Sequence, residues 1–288
     1  MANTQHAAYP YDETVTLLEN QKVNAEYYKL SFRSKRLSRG VRPGQFLQLK
    51  INEGHDPFLR RPFSYYRVAS DRIEILYEIL GRGTGLLTRA QKGDRLKAMG
   101  PLGRGFTAGI GKKKRILVGG GVGVPPLVFL AERSGCERFF IGTKTKGEVL
   151  PSSEIQKFRG AVCYATEDGS YGAKGFVTKP LEDFLEKMPG PSEDYFIQTC
   201  GPNRMMQRVM EMASHFGVEG EASWDERMAC GLGVCLGCMV LTKRGWTASC
   251  TEGPVFRFDE MAKERRHPER SEGSRLRFFG LRPQNDAY

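Results

Sequence analysis

Four cysteines crowd into a short stretch near the end of the 288-residue chain. They follow the spacing C-x4-C-x2-C-x11-C and are Cys230, Cys235, Cys238 and Cys250. The chain has seven cysteines in all, an odd number, whereas a disulfide scaffold spreads paired cysteines through a small secreted domain. Clustering of this kind in a larger chain indicates a metal site.

The spacing is that of plant-type 2Fe–2S ligand loops, which place three cysteines close together and a fourth one far along the chain. Four thiolates are needed because each of two irons takes two cysteines and two bridging sulfides. Gly231, Gly233 and Gly237 lie between the cysteines and allow the loop to wrap closely around a cluster. Structural zinc is the alternative, although zinc usually takes two separated C-x2–4-C pairs.

The formal net charge of +11 raises the question of a nucleic-acid partner. The basic residues are scattered, with one group at 112–115 and another at 263–282, and no recognition helix or stacking platform accompanies them. We therefore expect a solvated surface or an acidic protein partner, and no nucleic acid. Because no long apolar run and no signal-peptide core is present, we expect no membrane span and a cytoplasmic location.

The first part of the chain alternates short apolar runs with turn residues, which predicts a small antiparallel β-barrel over residues 13–108. We expect its strands at Val23 to Ser34, Gly44 to Ile51, Ile73 to Leu80 and Asp94 to Met99.

From Arg115 the pattern changes to alternating strands and helices, which predicts a doubly wound α/β domain with a parallel sheet over residues 109–218. The expected elements are strands at Arg115 to Val118, Arg138 to Ile141, Ala161 to Thr166 and Tyr195 to Thr199, and helices at Pro126 to Arg133, Thr178 to Glu186 and Pro202 to His215. A small cluster domain then takes residues 219–257. The basic stretch 258–288 has little periodicity, and we expect it to be a disordered tail.

Two motifs in the predicted barrel favour flavin binding. Arg61, Pro62, Phe63 and Ser64 end one strand, where the arginine can clamp a pyrophosphate and the serine can bond a flavin edge. The glycine-rich run that contains Gly83, Thr84 and Gly85 opens a short helix, and such a helix start favours an anion. Their order ahead of an α/β domain matches the ferredoxin-reductase superfamily, whose barrel holds FAD.

Two further motifs favour a nicotinamide dinucleotide. Gly119, Gly120, Gly121 and Gly123 follow the first strand of the α/β domain and lead into a helix, so that backbone can approach a pyrophosphate. Cys200, Gly201 and Pro202 close a later strand, where the small cysteine faces the nicotinamide or packs in the core. Cys136 and Cys163 are interpreted as structural. Lys144 and Lys146 follow the second parallel strand, where a basic residue can bind the 2′-phosphate of NADP, so the residues alone do not distinguish NAD from NADP.

Taken together, these motifs resemble the electron transfer subunit of type B, NAD-dependent dihydroorotate dehydrogenase. The resemblance covers roughly residues 13–257, and its motifs are Arg60 to Ser64, Gly100 to Gly103, Gly119 to Pro126, Asp168 to Gly172, Cys200 to Pro202, Arg227 to Cys238, Cys250, and Gly253 to Phe256. It implies FAD contacts that also include Tyr77, Glu78 and Ile79, cluster ligation by the four cysteines, and NAD as the nicotinamide.

The resemblance also implies a partner, an FMN-containing catalytic subunit that oxidises dihydroorotate to orotate in pyrimidine biosynthesis, in a heterotetramer with two copies of each chain. No general base or catalytic triad stands out, so we assign no catalytic residue to this chain. Two alternatives remain: a flavin and iron–sulfur NAD(P)H reductase subunit that serves ferredoxin, polysulfide or a hydrogenase, and a non-enzymatic scaffold held together by zinc.

Overall fold

The computed structural model describes residues 10–262, apart from Glu53 and His55. Its first seven strands are β1 (Tyr11–Lys22), β2 (Tyr27–Arg33), β3 (Phe46–Lys50), β4 (Arg61–Ser64), β5 (Arg67–Ala69), β6 (Arg72–Glu78) and β7 (Arg95–Leu102), with the short helix α1 (Arg82–Leu87) before β7. They form one antiparallel sheet in the order β4-β3-β7-β1-β2-β6-β5.

This first sheet is strongly curled. Phe63 on β4 packs edge-on against Tyr77 on β6, with 5.8 Å between ring centroids, although four strands separate β4 from β6 in the sheet order. Alternating residues such as Leu47 and Leu49 on β3 point to the enclosed core, as the period of two in a strand requires. The predicted antiparallel barrel fold is confirmed.

The second sheet is parallel except at one edge. Its strands are β8 (Lys114–Gly120), β9 (Arg138–Thr143), β10 (Val162–Thr166), β11 (Ala173–Lys174), β12 (Tyr195–Cys200), β13 (Glu219–Ser223) and β16 (Val255–Arg257), and its helices are α2 (Val124–Ser134), α3 (Thr178–Glu186) and α4 (Asn203–Phe216). The order is β11-β10-β9-β8-β12-β13-β16, and only β16 runs antiparallel to its neighbour.

Helices cover both faces of the second sheet. Leu117 on β8 packs on the side of α2, together with Tyr66 of the barrel, whereas Ile116 and Val118 pack on the side of α3 and α4. The chain order reverses between β8 and β12, and the crevice at such a point is where open α/β sheets bind their ligands. This is the predicted doubly wound arrangement.

The cysteine segment is an excursion between two strands of the second sheet. It contains the hairpin β14 (Met239–Thr242) and β15 (Gly245–Ala248) and the single turn α5 (Ser249–Glu252). The sequence prediction placed residues 219–257 together as the cluster domain, but β13 and β16 at its two ends belong to the large sheet. The excursion itself is therefore residues 224–254.

The ordered chain continues past residue 257, where the tail was expected to begin. The N–H of Phe258 donates to the carbonyl of Gly220, and Met261 is buried against Trp224 and Val240. Residues 258–262 therefore belong to the folded part, since their apolar side chains cover the end of the second sheet. The rest of the expected tail, 263–288, lies outside the described residues. None of the described helices is long and apolar enough to cross a membrane.

Candidate functional site

A cleft opens where the barrel, the second sheet and the cysteine segment meet. Its walls are formed by Phe46, Pro62, Phe63 and Ser64 of the barrel, by Val122, Gly123, Cys200, Gly201 and Ser223 of the second sheet, and by Asp225, Met228 and Pro254 of the cysteine segment. Residues of one flavin motif, Pro62 to Ser64, therefore share a cleft with Gly123, Cys200 and Gly201 of the nicotinamide motifs, although more than fifty residues separate them in the sequence.

Arg61 and the glycine-rich start of α1 are in direct contact. A β-carbon on residue 83 would lie 2.9 Å from Nε of Arg61, so a side chain at this position would have to displace the guanidinium. One guanidinium nitrogen of Arg61 donates to the carbonyl of Leu59 at 2.7 Å, and Thr84 accepts the N–H of Leu80 at 2.9 Å through its hydroxyl. A cation and a helix start thus lie side by side, as a pyrophosphate site needs.

The remaining barrel residues of the predicted flavin site differ in their exposure. Tyr77 is buried in the barrel core, where its hydroxyl donates to Asn20 at 3.0 Å, so its side chain is not open to a ligand. Ile79 is exposed. Burial and the nearby carboxylate of Glu26 raise the pKa of Glu78.

The glycine loop after β8 lies directly against the end of β12. A β-carbon at Gly123 would overlap the carbonyl of Cys200, so the approach of the two segments requires glycine. Cys200 itself is buried. Desolvation, with a contribution from Asp225, raises the pKa of its thiol to about 12, and the thiol is therefore neutral at physiological pH. Gly201 joins it in the cleft wall.

Backbone N–H groups converge on two of the four clustered sulfurs. The Sγ of Cys230 accepts from the N–H of Leu232 at 3.3 Å and of Cys235 at 3.4 Å, and the Sγ of Cys250 accepts from the N–H of Gly233 at 3.2 Å. Desolvation acts against ionisation of Cys230, but these donors outweigh it and lower its pKa to about 6. The loop therefore favours thiolate at Cys230 before any metal is bound.

The four thiols influence one another. The side chain of Cys235 helps to lower the pKa of Cys230, whereas burial and the neighbouring thiols of Cys238 and Cys230 raise the pKa of Cys250 to about 12. In the described part of the chain, no three His, Cys, Asp or Glu side chains are placed so that they could hold one metal ion together. Four cysteines are the number that a two-iron cluster takes, two on each iron.

The cleft and the cysteines are next to each other. Phe46 and Met228 both line the cleft, and both pack in the apolar cluster that contains Cys238 and Cys250. These shared side chains place the cleft next to the apolar cluster that contains two of the predicted cluster ligands.

Sequence reasoning missed Phe46, Asp225 and Met228 as site residues. Asp225 is exposed in the cleft wall, and the protein packed around it, together with Glu226, raises the pKa of its carboxyl to about 6. An acidic residue just ahead of the cysteine motif was the available signal, but nothing in the local pattern indicated that it faces the cleft.

Comparisons with known proteins cover most of the chain. A sequence profile described as the iron–sulfur cluster binding domain of dihydroorotate dehydrogenase B matches residues 225–262. The protein named dihydroorotate dehydrogenase B (NAD(+)), electron transfer subunit, from Clostridium acetobutylicum is 38% identical over 245 residues, which cover 84% of this chain and 94% of that protein. The homologue of that subunit in Aquifex aeolicus is 35% identical, over 85% and 96% of the two chains.

Solved structures share the fold. The structure of an NADH-dependent reduced ferredoxin-NADP oxidoreductase has a TM-score of 0.75 and 24% identity, and the match covers 90% of this chain and 91% of that one. A ferredoxin NADP+ reductase from Neisseria gonorrhoeae, with bound FAD and NADP, has a TM-score of 0.61 and 16% identity over 73% and 93% of the chains.

Proposed function

The chain belongs to the family of electron transfer subunits of dihydroorotate dehydrogenase B, and we propose that it carries electrons between NAD, FAD, a 2Fe–2S cluster and the FMN of a catalytic partner that oxidises dihydroorotate to orotate. When bound, the nicotinamide exchanges two electrons as hydride, the flavin exchanges one or two, and the cluster exchanges one. This division explains why one chain combines all three sites.

The contact between the cleft and the cysteines carries the proposal. Phe46 and Met228 belong to both regions, so the site for a flavin adjoins the ligands for a cluster. A scaffold held together by zinc would have no use for a cleft lined by residues of the flavin and nicotinamide motifs, and the spacing of the four cysteines favours two irons over one zinc ion.

We assign the protein's own residues to positioning tasks. Arg61 and the segment Gly83–Gly85 hold the pyrophosphate of FAD, while Pro62, Phe63 and Ser64 border its ring. The backbone of Gly119, Gly120, Gly121 and Gly123 holds the pyrophosphate of NAD, and Cys200, Gly201 and Pro202 border the nicotinamide. Cys230, Cys235, Cys238 and Cys250 ligate the cluster. Tyr77, Glu78 and Ile79 complete the flavin site through backbone atoms of β6 and the residue after it, since the side chain of Tyr77 is buried.

The names of the relatives favour this reading over a reductase that serves ferredoxin, polysulfide or a hydrogenase, because they all describe the same electron transfer subunit. Reduced thiols persist in the cytoplasm, so we place the chain there. We further propose that it assembles with its catalytic partner as two copies of each subunit.

The cysteine loop offers a surface for that partner. Leu232, Val234 and Leu236 are exposed by 45%, 79% and 62%, and they lie between or beside the cluster ligands. The centre of a protein interface is typically apolar. A partner that docks on this loop would have only a short distance for an electron to cross between its FMN and the cluster.

The test uses Val234→Asp. A charge at an interface centre should weaken partner binding by roughly tenfold or more and reduce dihydroorotate-to-NAD transfer equally, while NADH-driven dye reduction by the chain alone is unchanged. Phe176→Asp, at an exposed apolar residue of the second domain, is the control and should leave partner binding intact. Dihydroorotate oxidation by the isolated chain, or partner binding that is unaffected in the Val234 variant, would contradict the proposal.

A further inference from the structure

Gln48 is a fully buried amide whose polar atoms are unpaired. Its exposed fraction is 0%, and neither Nε2 nor Oε1 has a hydrogen-bond partner among the described residues. Gln45 on the same segment is also buried, but it donates to the carbonyl of Gly103 and accepts the N–H of Arg42. Gln48 is therefore unlike the other buried amide of its own segment.

The alternation of β3 turns Gln48 towards the cysteine loop. Leu47 and Leu49 point into the barrel core, whereas Phe46, on the same face as Gln48, packs with Cys238 and Cys250. The outer face of β3, like Met99 and Leu102 of β7, thus contacts the cysteine segment.

The amide lies against the backbone next to the first cysteine. A β-carbon on Gly231, which follows Cys230, would lie 2.7 Å from Nε2 of Gln48 and 3.1 Å from its Cδ. Gly231 also has a φ of +71°, so glycine is required there both by conformation and by the closeness of the amide.

An unpaired amide at such a place is costly. Burying a polar group without a partner destabilises the fold, whereas methionine fills a similar volume with no polar oxygen or nitrogen. The amide contributes favourably only if it gains a partner, and the acceptors that a bound cluster adds beside Cys230 are sulfur atoms.

We propose that Gln48 donates a hydrogen bond from Nε2 to a sulfide of the bound cluster, and that this bond raises the reduction potential of the cluster. The inference rests on the proposed function, since it requires the 2Fe–2S cluster. Reduction adds one negative charge, so a donor directed at sulfur stabilises the reduced form more than the oxidised form. Gln48 is then a positioning residue through which the flavin barrel tunes the cluster.

The hydrogen bond from Gln48 is tested first on the parent chain, without any substitution. The full chain is loaded with FAD and cluster, its iron and acid-labile sulfide are measured, and 15N is introduced selectively into glutamine side chains. Pulsed electron paramagnetic resonance of the reduced cluster should then detect a 15N coupling that disappears in Gln48→Met. A loaded parent chain without this coupling overturns the inference alone, whereas a chain that takes up no cluster overturns the proposed function as well.

The reduction potential gives the second readout. In Gln48→Met the potential of the cluster should become more negative by an amount equal to roughly a tenfold change in the one-electron equilibrium, about 59 mV. Gln45→Met is the matched control and should leave the potential unchanged. If Gln48→Met does not fold, Gln48→Leu also removes the donor and places no unpaired polar group at the site, so its potential should also fall. A potential equal to that of the parent in a loaded Gln48 variant contradicts the proposal.

Discussion

Arg61 and Gly83 belong to different sequence motifs, yet the Nε of Arg61 lies only 2.9 Å from the position that a β-carbon on residue 83 would occupy. The neighbouring Arg60 is directed elsewhere, because its guanidinium forms an ion pair with Asp12 at 2.7 Å. Two adjacent arginines therefore have separate tasks, one at the flavin site and one in holding the start of β1.

This difference leads to a matched pair of substitutions. Arg61→Ala should weaken FAD binding by roughly 1.5–3 kcal/mol, the range for a hydrogen bond to a charged group, because it removes the cation beside the α1 start. Arg60→Ala removes the same charge from the chain but should change FAD affinity by less than about 0.5 kcal/mol. Titration of the cofactor-stripped variants with FAD measures both, and equal retention of FAD by Arg61→Ala and the parent would show that Arg61 is not the clamp.

At the residue scale, the sequence predicted groups whose chemistry is local. The cysteine spacing and the glycine turn after β8 each have a physical reason within a few residues. Asp225 and Gln48 could not be found in this way, because their importance depends on which strand of another sheet faces them. Tyr77 lies on the strand that the sequence predicted, but the motif does not indicate that its side chain points into the barrel core.

At the scale of elements, a charged network joins the barrel to the second domain. Glu154, in a short turn between β9 and β10, accepts from Lys29 on β2 at 2.6 Å and from Tyr66 at 2.9 Å, and also from Arg67 on β5. Arg67 in turn bonds Glu132 on α2 at 2.8 Å. One carboxylate thus fixes two barrel strands against the second domain.

Glu154→Gln should destabilise the protein by roughly 1.5–3 kcal/mol at pH 7, the range for a hydrogen bond to a charged group, because it removes the carboxylate that pairs with Lys29, whereas Arg67 keeps Glu132. Burial alone would raise the pKa of Glu154, but Lys29 and Arg67 outweigh burial and lower it. Its folded-state pKa therefore lies below the unfolded value of about 4.3, so the stabilisation is complete at neutral pH and is lost as pH falls below that value.

Thermal unfolding at a series of pH values from about 7.5 to about 3 should therefore show a constant difference in melting temperature between the parent and Glu154→Gln down to about pH 5, and a difference that shrinks below about 4.3. Glu182→Gln is the control. Its ion pairs with Lys179 and Arg208 are partly exposed, and such pairs contribute about 0–1 kcal/mol. A difference that stays constant or widens below about 4.3 would contradict the assigned role of the carboxylate.

Helices and strands were predicted correctly where buried residues recur at the regular spacing of a helix or strand. The helix Thr178–Glu186 has its predicted bounds, with Leu181 and Leu185 buried one turn apart. Strand β13 was missed because its sequence is Glu-Gly-Glu-Ala-Ser. Its buried Glu221 is satisfied by the N–H and hydroxyl of Thr107 and by Gln198, which no local hydrophobic pattern could indicate.

At the scale of the whole molecule, three sites lie in sequence along one path. The glycine loop and Cys200 border the cleft from one side, the barrel borders it from the other, and Phe46 and Met228 connect it to the cysteines. Beyond the cysteines the apolar loop around Val234 is exposed. The sequence predicted the three sites separately, but their contact follows from the insertion of the cysteine segment between β13 and β16.

The central claim is that this single chain conducts electrons from the nicotinamide to the cluster. The most direct measurement is anaerobic addition of NADH to the FAD- and cluster-loaded chain, without a partner, followed by electron paramagnetic resonance. In the parent we expect the signal of a reduced 2Fe–2S cluster. In Cys235→Ser we expect NADH still to reduce the flavin, with loss of its visible absorbance, but no cluster signal. Bound zinc in place of iron, or a parent cluster that dithionite reduces but NADH leaves oxidised, would contradict the account.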